Sequence, residues 1–208
     1  MPKVLTAILI SAGFLFLGCL KNDSSLTTNK VVATPVSTPE DPSRLSEREY
    51  ATLVAIIGER RFVIKNSANA DFMGEVSPEA VKSHQGLLPE TIADYNKKNF
   101  SDKSSVSFEI EGKFPTQEKY FLLSQEELKS QFDYKKSNAT DTWKSFKEKY
   151  GTDGYHTVSR VGFSNDGKQA LAFVSFTCGS LCADGTYYFL IHQDGRWKIE
   201  SKNTVWVS

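Results

Sequence analysis

Three cysteines are the residues of this 208-residue chain that offer the most chemistry. Cys19 directly follows an apolar N-terminal run, where a thiol can accept a lipid. Cys178 and Cys182 flank three residues in the segment C-G-S-L-C, a spacing open to a disulfide, a metal site or two reduced thiols. The residues around each cysteine indicate which of these roles it has.

The N-terminal segment predicts export. Lys3 precedes an apolar or small-residue run from Val4 to Leu17, which has the length of a signal peptide and is short for a membrane span. Gly18 and Cys19 close this run, and the chain then turns polar. We therefore interpret residues 1–18 as a signal peptide.

The residues before Cys19 resemble the lipobox of bacterial lipoproteins, although Phe16 and Leu17 stand where that motif usually has Leu and a small residue. The resemblance implies a lipid anchor on Cys19, with acyl chains such as palmitate each contributing about 0.8 kcal/mol per buried methylene. Leu20, in place of Asp, favours the outer membrane. The alternatives are an uncleaved anchor at 4–20 and a conventionally secreted protein; all three place the domain in the periplasm or at the cell surface.

Residues 19–44 predict a lipidated cysteine followed by a flexible tether. Their composition is Ser, Thr, Asn, Pro, Val and Lys, without apolar periodicity, and Pro35, Pro39 and Pro42 favour extended backbone. We expect this segment to hold a folded domain, residues 45–208, away from the membrane.

The pair Cys178 and Cys182 predicts a disulfide between two strands, because export places both thiols where disulfides persist. A redox-active pair is a weaker interpretation, since that motif has two intervening residues and begins a helix. A metal site would need further ligands, and the three histidines are scattered along the chain. Inert reduced thiols remain an alternative, and we expect no metal or cofactor.

Three residues of the C-terminal third, His156, Arg160 and His192, are candidates for one pocket on a sheet. An isolated histidine on a strand is more often a surface or core residue, so this hypothesis is weak. The sequence contains no nucleophile elbow, HExxH, P-loop or paired-carboxylate signature. We therefore assign no catalytic residues.

The charged and aromatic residues indicate which classes of binding partner this chain could have. The chain has 25 basic and 25 acidic side chains and no basic patch interleaved with aromatics, which argues against nucleic-acid binding. Trp143, Trp197 and Trp206 could stack on a ligand. Their helix and strand spacing favours ordinary core and cross-strand packing.

Helix signals dominate the first part of residues 45–208. Capping boxes at Ser46 with Glu49 and at Ser124 with Glu127 each predict a helix start. A further amphipathic helix is expected from about Asp141 to Tyr150, with Gly151 ending it. Short strands are expected at 61–66, 105–110 and 120–124, and another helical turn at Pro89.

Period-two patterns follow from residue 154 onward. They predict strands at 156–164, 169–178, 186–193 and 197–207, with N-D-G and Q-D-G turns. The strand at 169–178 is apolar on both faces, so we expect it to be central, with helices covering at least one side. The predicted fold is a single α+β domain, with N-terminal helices packed on a curved C-terminal antiparallel β-meander.

The C-terminal third resembles an uncharacterised family of exported bacterial proteins and lipoproteins. The shared pattern is W-x-x-F-x-x-K-Y, then S-R-V-G-F and Q-A-L, then C-G-x-L-C, G-x-W-x-I and a terminal W-V-S. The family usually has Gly where this chain has Ala183. The resemblance implies the export and the fold, and it supplies no activity or catalytic residues.

These patterns favour a membrane-anchored lipoprotein of the cell envelope whose domain binds or scaffolds an envelope protein or ligand without catalysis. The alternative is an envelope hydrolase or small-ligand enzyme with a site built from dispersed residues on the sheet. A closed polar cavity containing a residue of displaced pKa would favour the enzyme. An apolar outer patch would favour the binding module.

Overall fold

The structure, a computed structural model, describes residues 41–57, 62–65, 67–68, 75–100, 108–114, 120–133, 138–179 and 181–208. The helices in these ranges are α1 (Glu47–Ile57), α2 (Pro89–Asn99), α3 (Gln125–Gln131) and α4 (Ala139–Tyr150). The strands are β1 (Phe62–Lys65), β2 (Ser67–Ala68), β3 (Phe108–Glu109), β4 (Tyr120–Leu123), β5 (Tyr155–Val158), β6 (Gly162–Phe163), β7 (Gln169–Gly179), β8 (Cys182–Gln193) and β9 (Arg196–Val207). The predicted single α+β domain is confirmed. Of the strand expected at 105–110, residues 105–107 lie outside the described ranges.

The main sheet has the strand order β4-β1-β5-β7-β8-β9, with β6 also paired to β7. The pairs β5–β7, β7–β8 and β8–β9 are antiparallel, so the predicted C-terminal meander is confirmed. The sequence did not predict the other end of the sheet, where β1 pairs in parallel with both β4 and β5. A separate two-stranded sheet joins β2 and β3.

Strand β7 lies inside the sheet and supplies side chains to both of its faces. Ala170, Ala172 and Val174 join the core cluster that contains the buried residues of α1. Leu171 and Phe173 join the cluster that contains the buried residues of α2. This alternation follows from the two-residue period of a strand and explains why both faces of β7 are apolar. The predicted central position of this strand is confirmed.

A third core cluster packs α3 and α4 against the β4–β5 end of the sheet, through Leu123, Leu128, Phe146 and Tyr150. Tyr155 of β5 packs against this cluster and lies opposite Thr177 of β7, on the same face as Phe173. Helices α3 and α4 therefore lie on the same side of the sheet as α2, and α1 lies on the other.

The predicted helix ends are present. Ser124 and Glu127 form a reciprocal capping box at the start of α3. Gly151 ends α4 in the left-handed conformation, with φ of 68°, which glycine adopts without strain. No helix within the described ranges is long and apolar enough to cross a membrane. Residues 1–40, with the predicted signal peptide, Cys19 and most of the tether, lie outside those ranges.

Candidate functional site

Cys178 and Cys182 form a disulfide at the end of the β7–β8 hairpin, so the predicted bridge is confirmed. Gly179 and Cys182 are the last paired residues of the two strands. Leu181, inside the bridged loop, is 86% exposed. The bridge closes a hairpin tip and leaves one apolar side chain outside the core.

Arg160, one of the three candidate pocket residues, is 2% exposed and forms a buried ion pair with Glu49 of α1. Its Nε and Nη2 atoms donate to the two carboxylate oxygens, each at 2.8 Å. The backbone N–H groups of Val161 and Ser46 donate to the same carboxylate, at 3.0 and 2.8 Å. Arg160 Nη1 donates to the carbonyl oxygen of Pro42 at 2.8 Å. This bidentate, charge-assisted arrangement fixes α1 to the chain between β5 and β6.

The Glu49 carboxyl is ionised within this pair. Burial raises its pKa, but the hydrogen bonds and charge of Arg160 outweigh burial, so its pKa lies below the ordinary value of 4.5. Burial of a charge is tolerable here because the partner and the backbone donors compensate it. The Arg160 guanidinium is hydrogen-bonded to Glu49 and to the Pro42 carbonyl oxygen. Arg160 therefore has a structural role and does not line a pocket.

The segment S-R-V-G-F (159–163) carries much of the family resemblance, and its residue types have structural causes. Ser159 Oγ accepts a hydrogen bond from the backbone N–H of Phe173, at 2.9 Å. Asn99 of α2 binds both backbone groups of Arg160, at 2.8 and 3.1 Å. Gly162 lies so close to α2 that an added Cβ would be 2.5 Å from Tyr95 Cβ. The segment therefore joins α1 and α2 to the sheet.

His156 and His192 lie at opposite ends of β7. His156 is opposite Phe176, with ring centroids 4.6 Å apart. His192 donates its backbone N–H to the carbonyl of Lys168, next to the start of β7, and packs on Trp197. Eight residues of strand separate these two points, about 26 Å at 3.3 Å per residue. The structure does not bring His156, Arg160 and His192 together into one pocket.

His84, which the sequence reasoning did not single out, is the most buried histidine of the chain's described part, at 3% exposure. Its Nδ1 atom is hydrogen-bonded to the hydroxyl of Ser201, and its ring packs near Phe189. Burial lowers the pKa of His84 below its ordinary value of 6.5. Within the described ranges no group of His, Cys, Asp and Glu side chains could hold a metal ion.

An open, largely apolar groove of about 610 Å³ lies between α1 and the turn that joins β8 to β9. Tyr50, Ala51, Val54 and Ala55 supply its α1 side, and Trp197 supplies the β9 side. The helix can line a groove and still pack on the core because residues 50–57 read YATLVAII, with little polar character on either face. This run is the signal in the sequence that points to the groove.

The Trp197 ring packs on other aromatic rings. Phe163 lies 5.6 Å and His192 5.0 Å from it, measured between ring centroids. The guanidinium of Arg48 lies 3.9 Å from the ring centre of Phe163 and 5.6 Å from that of Trp197. Trp197 is half-buried: it packs against the core, as its strand spacing predicts, and it also lines the groove.

The groove has charged groups at its rim: Glu47, Lys113 and Arg196. Lys113 Nζ is 3.2 Å from one carboxylate oxygen of Glu111, and Arg44 Nη1 is 2.9 Å from the other, so the two cations share this carboxylate. Arg196 begins β9 directly after a turn in which Asp194 and Gly195 both have positive φ, a geometry that fixes its backbone position. It forms no ion pair with another residue of the described ranges.

A smaller polar pocket of about 250 Å³ lies between α3 and α4. Its two carboxylates already serve helix starts: Glu127 accepts a hydrogen bond from the N–H of Ser124, and Asp141 accepts one from the Asn138 amide. This pocket is therefore part of the helix-capping arrangement, and the groove at α1 is the better candidate for a binding site.

Comparison of the chain with family models, with curated proteins and with solved structures finds no match. The resemblance of the C-terminal third to exported bacterial proteins thus stays a prediction.

Proposed function

We propose that this chain is a bacterial lipoprotein whose folded domain is a non-catalytic binding module of the cell envelope, held at a membrane by lipid on Cys19. The observation that carries the binding role is the groove between α1 and the β8–β9 turn. It combines an apolar interior with a charged rim, the pattern of a ligand or partner site rather than of ordinary surface.

The positions of the ionisable residues support binding without catalysis. Tyr50 lines the groove, and burial raises the pKa of its phenol, which stays protonated and neutral. Glu49 and His84 also have displaced pKa values, but neither lines the groove. Glu49 is fully occupied by Arg160 and backbone donors, and His84 is buried against Ser201 and Phe189. The groove itself offers aliphatic and aromatic surface with charges only at its edge, which suits holding an apolar group in place.

The anchor is tested by replacing Cys19 with Ala and fractionating the bacterial cells. We expect the protein to leave the membrane fraction, because the lipid is attached to this thiol. The matched control is Cys178→Ser with Cys182→Ser, which removes two thiols, leaves the signal intact and should stay membrane-bound. A Cys19→Ala protein that remains in the membrane would favour the uncleaved anchor.

The groove is tested with a neutral apolar dye, Nile red, and the chain from Leu20 onward, which keeps the whole folded unit Pro39–Ser208. Ala51 is exposed on α1, so Ala51→Glu should leave the fold intact and place a charge in the groove. We expect dye affinity to fall roughly tenfold or more, because a carboxylate opposes apolar contact. Ala139→Glu, at an exposed alanine of α4, is the control. Equal affinity for both variants, or no binding by the wild type, would contradict the proposal.

A further inference from the structure

The groove takes its shape from two small side chains. Ala51 and Ala55 are one helical turn apart on the same face of α1, with Val54 beside them and the Trp197 ring across from them. From Tyr50 to Ala55 the apolar lining of α1 extends over five residue steps, about 7.5 Å at 1.5 Å per residue. An apolar surface of this length, opposite the Trp197 ring, suits one alkyl chain.

The mouth of the groove is open on the β8–β9 turn. A Cβ added to Gly195 would meet no atom within 4 Å. Arg196 follows directly on this turn and is exposed, whereas the aliphatic residues lie farther along α1. A molecule with its chain in the groove can therefore keep a polar end in water beside the Arg196 guanidinium.

Among the described residues of the rim, Arg196 is the cation without an ion-pair partner. Lys113 shares the Glu111 carboxylate with Arg44, and the neighbouring Arg48 lies outside the groove lining. The Arg48 guanidinium lies over Phe163 and donates to the carbonyl oxygen of Gly167 at 2.7 Å, so it is held in place. Arg196 has no such attachment to the part of the chain that the structure describes, so it can turn toward a ligand. A guanidinium binds a carboxylate through two parallel hydrogen bonds.

We propose that the groove binds a fatty acid, with the alkyl chain along Ala51 and Ala55 and the carboxylate at Arg196. This assignment rests on the proposed binding function and adds the chemical class of the ligand. A carboxylate can bring both oxygens to the Arg196 guanidinium, whereas a phosphate monoester, with up to two negative charges, would need a second cation without an ion-pair partner, and the described part of the rim supplies none.

The test is displacement of Nile red from the chain starting at Leu20, by dodecyl compounds kept below their micelle concentrations. Laurate should displace the dye at a concentration about fivefold lower than dodecanol, and dodecyltrimethylammonium should be the weakest. Shortening laurate to decanoate and then octanoate should weaken displacement by roughly two- to fourfold per methylene, because the groove is open on one side.

Charge reversal identifies the contact. Arg196→Glu should weaken displacement by laurate about five- to tenfold and leave dodecanol nearly unchanged. Lys202→Glu changes the net charge equally on the same strand but lies outside the groove, so it should have little effect. Arg196→Gln is the milder second variant, and thermal unfolding followed by circular dichroism checks that each protein is folded.

The outcomes separate the two proposals. Equal displacement by laurate, dodecanol and dodecyltrimethylammonium would overturn the carboxylate assignment and leave a groove that binds apolar groups. Stronger displacement by dodecyl phosphate than by laurate, or equal losses in Arg196→Glu and Lys202→Glu, would also overturn it. Unchanged laurate binding in Ala51→Glu would place the fatty acid elsewhere. Absence of Nile red binding by the wild type would count against the binding module itself.

Discussion

Replacing Glu49 with Gln tests the buried ion pair that attaches α1 to the chain between β5 and β6. The substitution keeps the shape of the side chain but removes its charge and turns one acceptor oxygen into an NH₂ group. In either orientation of the amide, the new NH₂ group faces N–H donors. At the Oε1 position these are the donors of Arg160 and Val161, and at the Oε2 position they are those of Arg160 and Ser46. Arg160 is left with an uncompensated buried charge.

The expected loss of stability is large. Removing one partner of a buried pair typically costs about 3–5 kcal/mol, and Glu49 and Arg160 are 0% and 2% exposed. A domain of this size is expected to have about 5–15 kcal/mol of total stability, so the loss is a substantial part of it. At about 2–4 °C per kcal/mol, the melting temperature should fall by roughly 6–20 °C.

The assay is urea unfolding at pH 7, followed by tryptophan fluorescence and far-ultraviolet circular dichroism. Glu47→Gln is the matched control, because Glu47 is exposed in the first turn of the same helix and should change stability by less than about 0.5 kcal/mol. Replacing both partners, Glu49→Leu with Arg160→Met, should recover part of the loss, since no buried charge remains. A loss in Glu49→Gln no larger than that in Glu47→Gln would refute the ion-pair argument.

The pair also has a pH signature. The folded pKa of Glu49 is lowered, so its contribution to stability is fully present above the ordinary value of 4.5. That contribution is lost as the pH falls below 4.5 and through the folded pKa, because the carboxylate then takes up a proton. Glu49→Gln should unfold less steeply with acid in this range than the wild type, and parallel curves would contradict this.

Three further predictions concern other parts of the fold. Gly162→Ala should destabilise the domain by about 2–3 kcal/mol in urea unfolding, because the new Cβ would lie 2.6 Å from the Thr91 carbonyl oxygen as well as against Tyr95; an unchanged midpoint would contradict the close packing. The lowered pKa of His84 means that the unfolded chain binds its proton first, so stability should fall as the pH drops below 6.5; a urea titration should show this slope in the wild type and lose it in His84→Gln. Cys178→Ser with Cys182→Ser should cost about 2 kcal/mol on the loop-entropy estimate, seen as a melting temperature lower by roughly 4–8 °C, and no change would mean that the small ring restricts the unfolded chain little.

Local signals in the sequence predicted local structure well. Ser124 with Glu127 marked the start of α3, and Gly151 marked the end of α4, because capping depends on residues within one turn. The period-two pattern likewise predicted β7 as an inner strand. In each case the residues that decide the structure are neighbours in the chain.

Long-range pairing could not be derived in the same way. The pattern of Ser46 and Glu49 predicted a helix start, but it did not show that the Glu49 carboxylate is buried against a residue 111 positions later. The sequence therefore makes Arg160 a pocket candidate, whereas the structure pairs it with Glu49. The parallel pairing of β1 with β4 could not be predicted for the same reason, because the sequence of a short apolar strand does not specify which strand it pairs with.

The groove depends on how α1 is fixed, and three consecutive residues fix it. Arg48 donates to the Gly167 carbonyl oxygen, Glu49 binds Arg160, and the Tyr50 hydroxyl accepts a hydrogen bond from the Glu111 N–H at 2.7 Å. Successive residues of a helix point about 100° apart, so these contacts hold α1 from several sides. The side of α1 that makes none of these contacts is the side of Ala51 and Ala55, which face the groove.

A helix held in this way gives the groove a shape that exists before any ligand arrives. A ligand then spends little of its binding free energy on ordering the protein, which favours even a shallow site. Loosening α1 should therefore weaken groove binding even where the groove residues are unchanged. Glu49→Gln, studied in urea-free buffer at pH 7 where it remains folded, should bind Nile red less tightly than the wild type. Identical affinities would show that the groove keeps its shape without the buried pair.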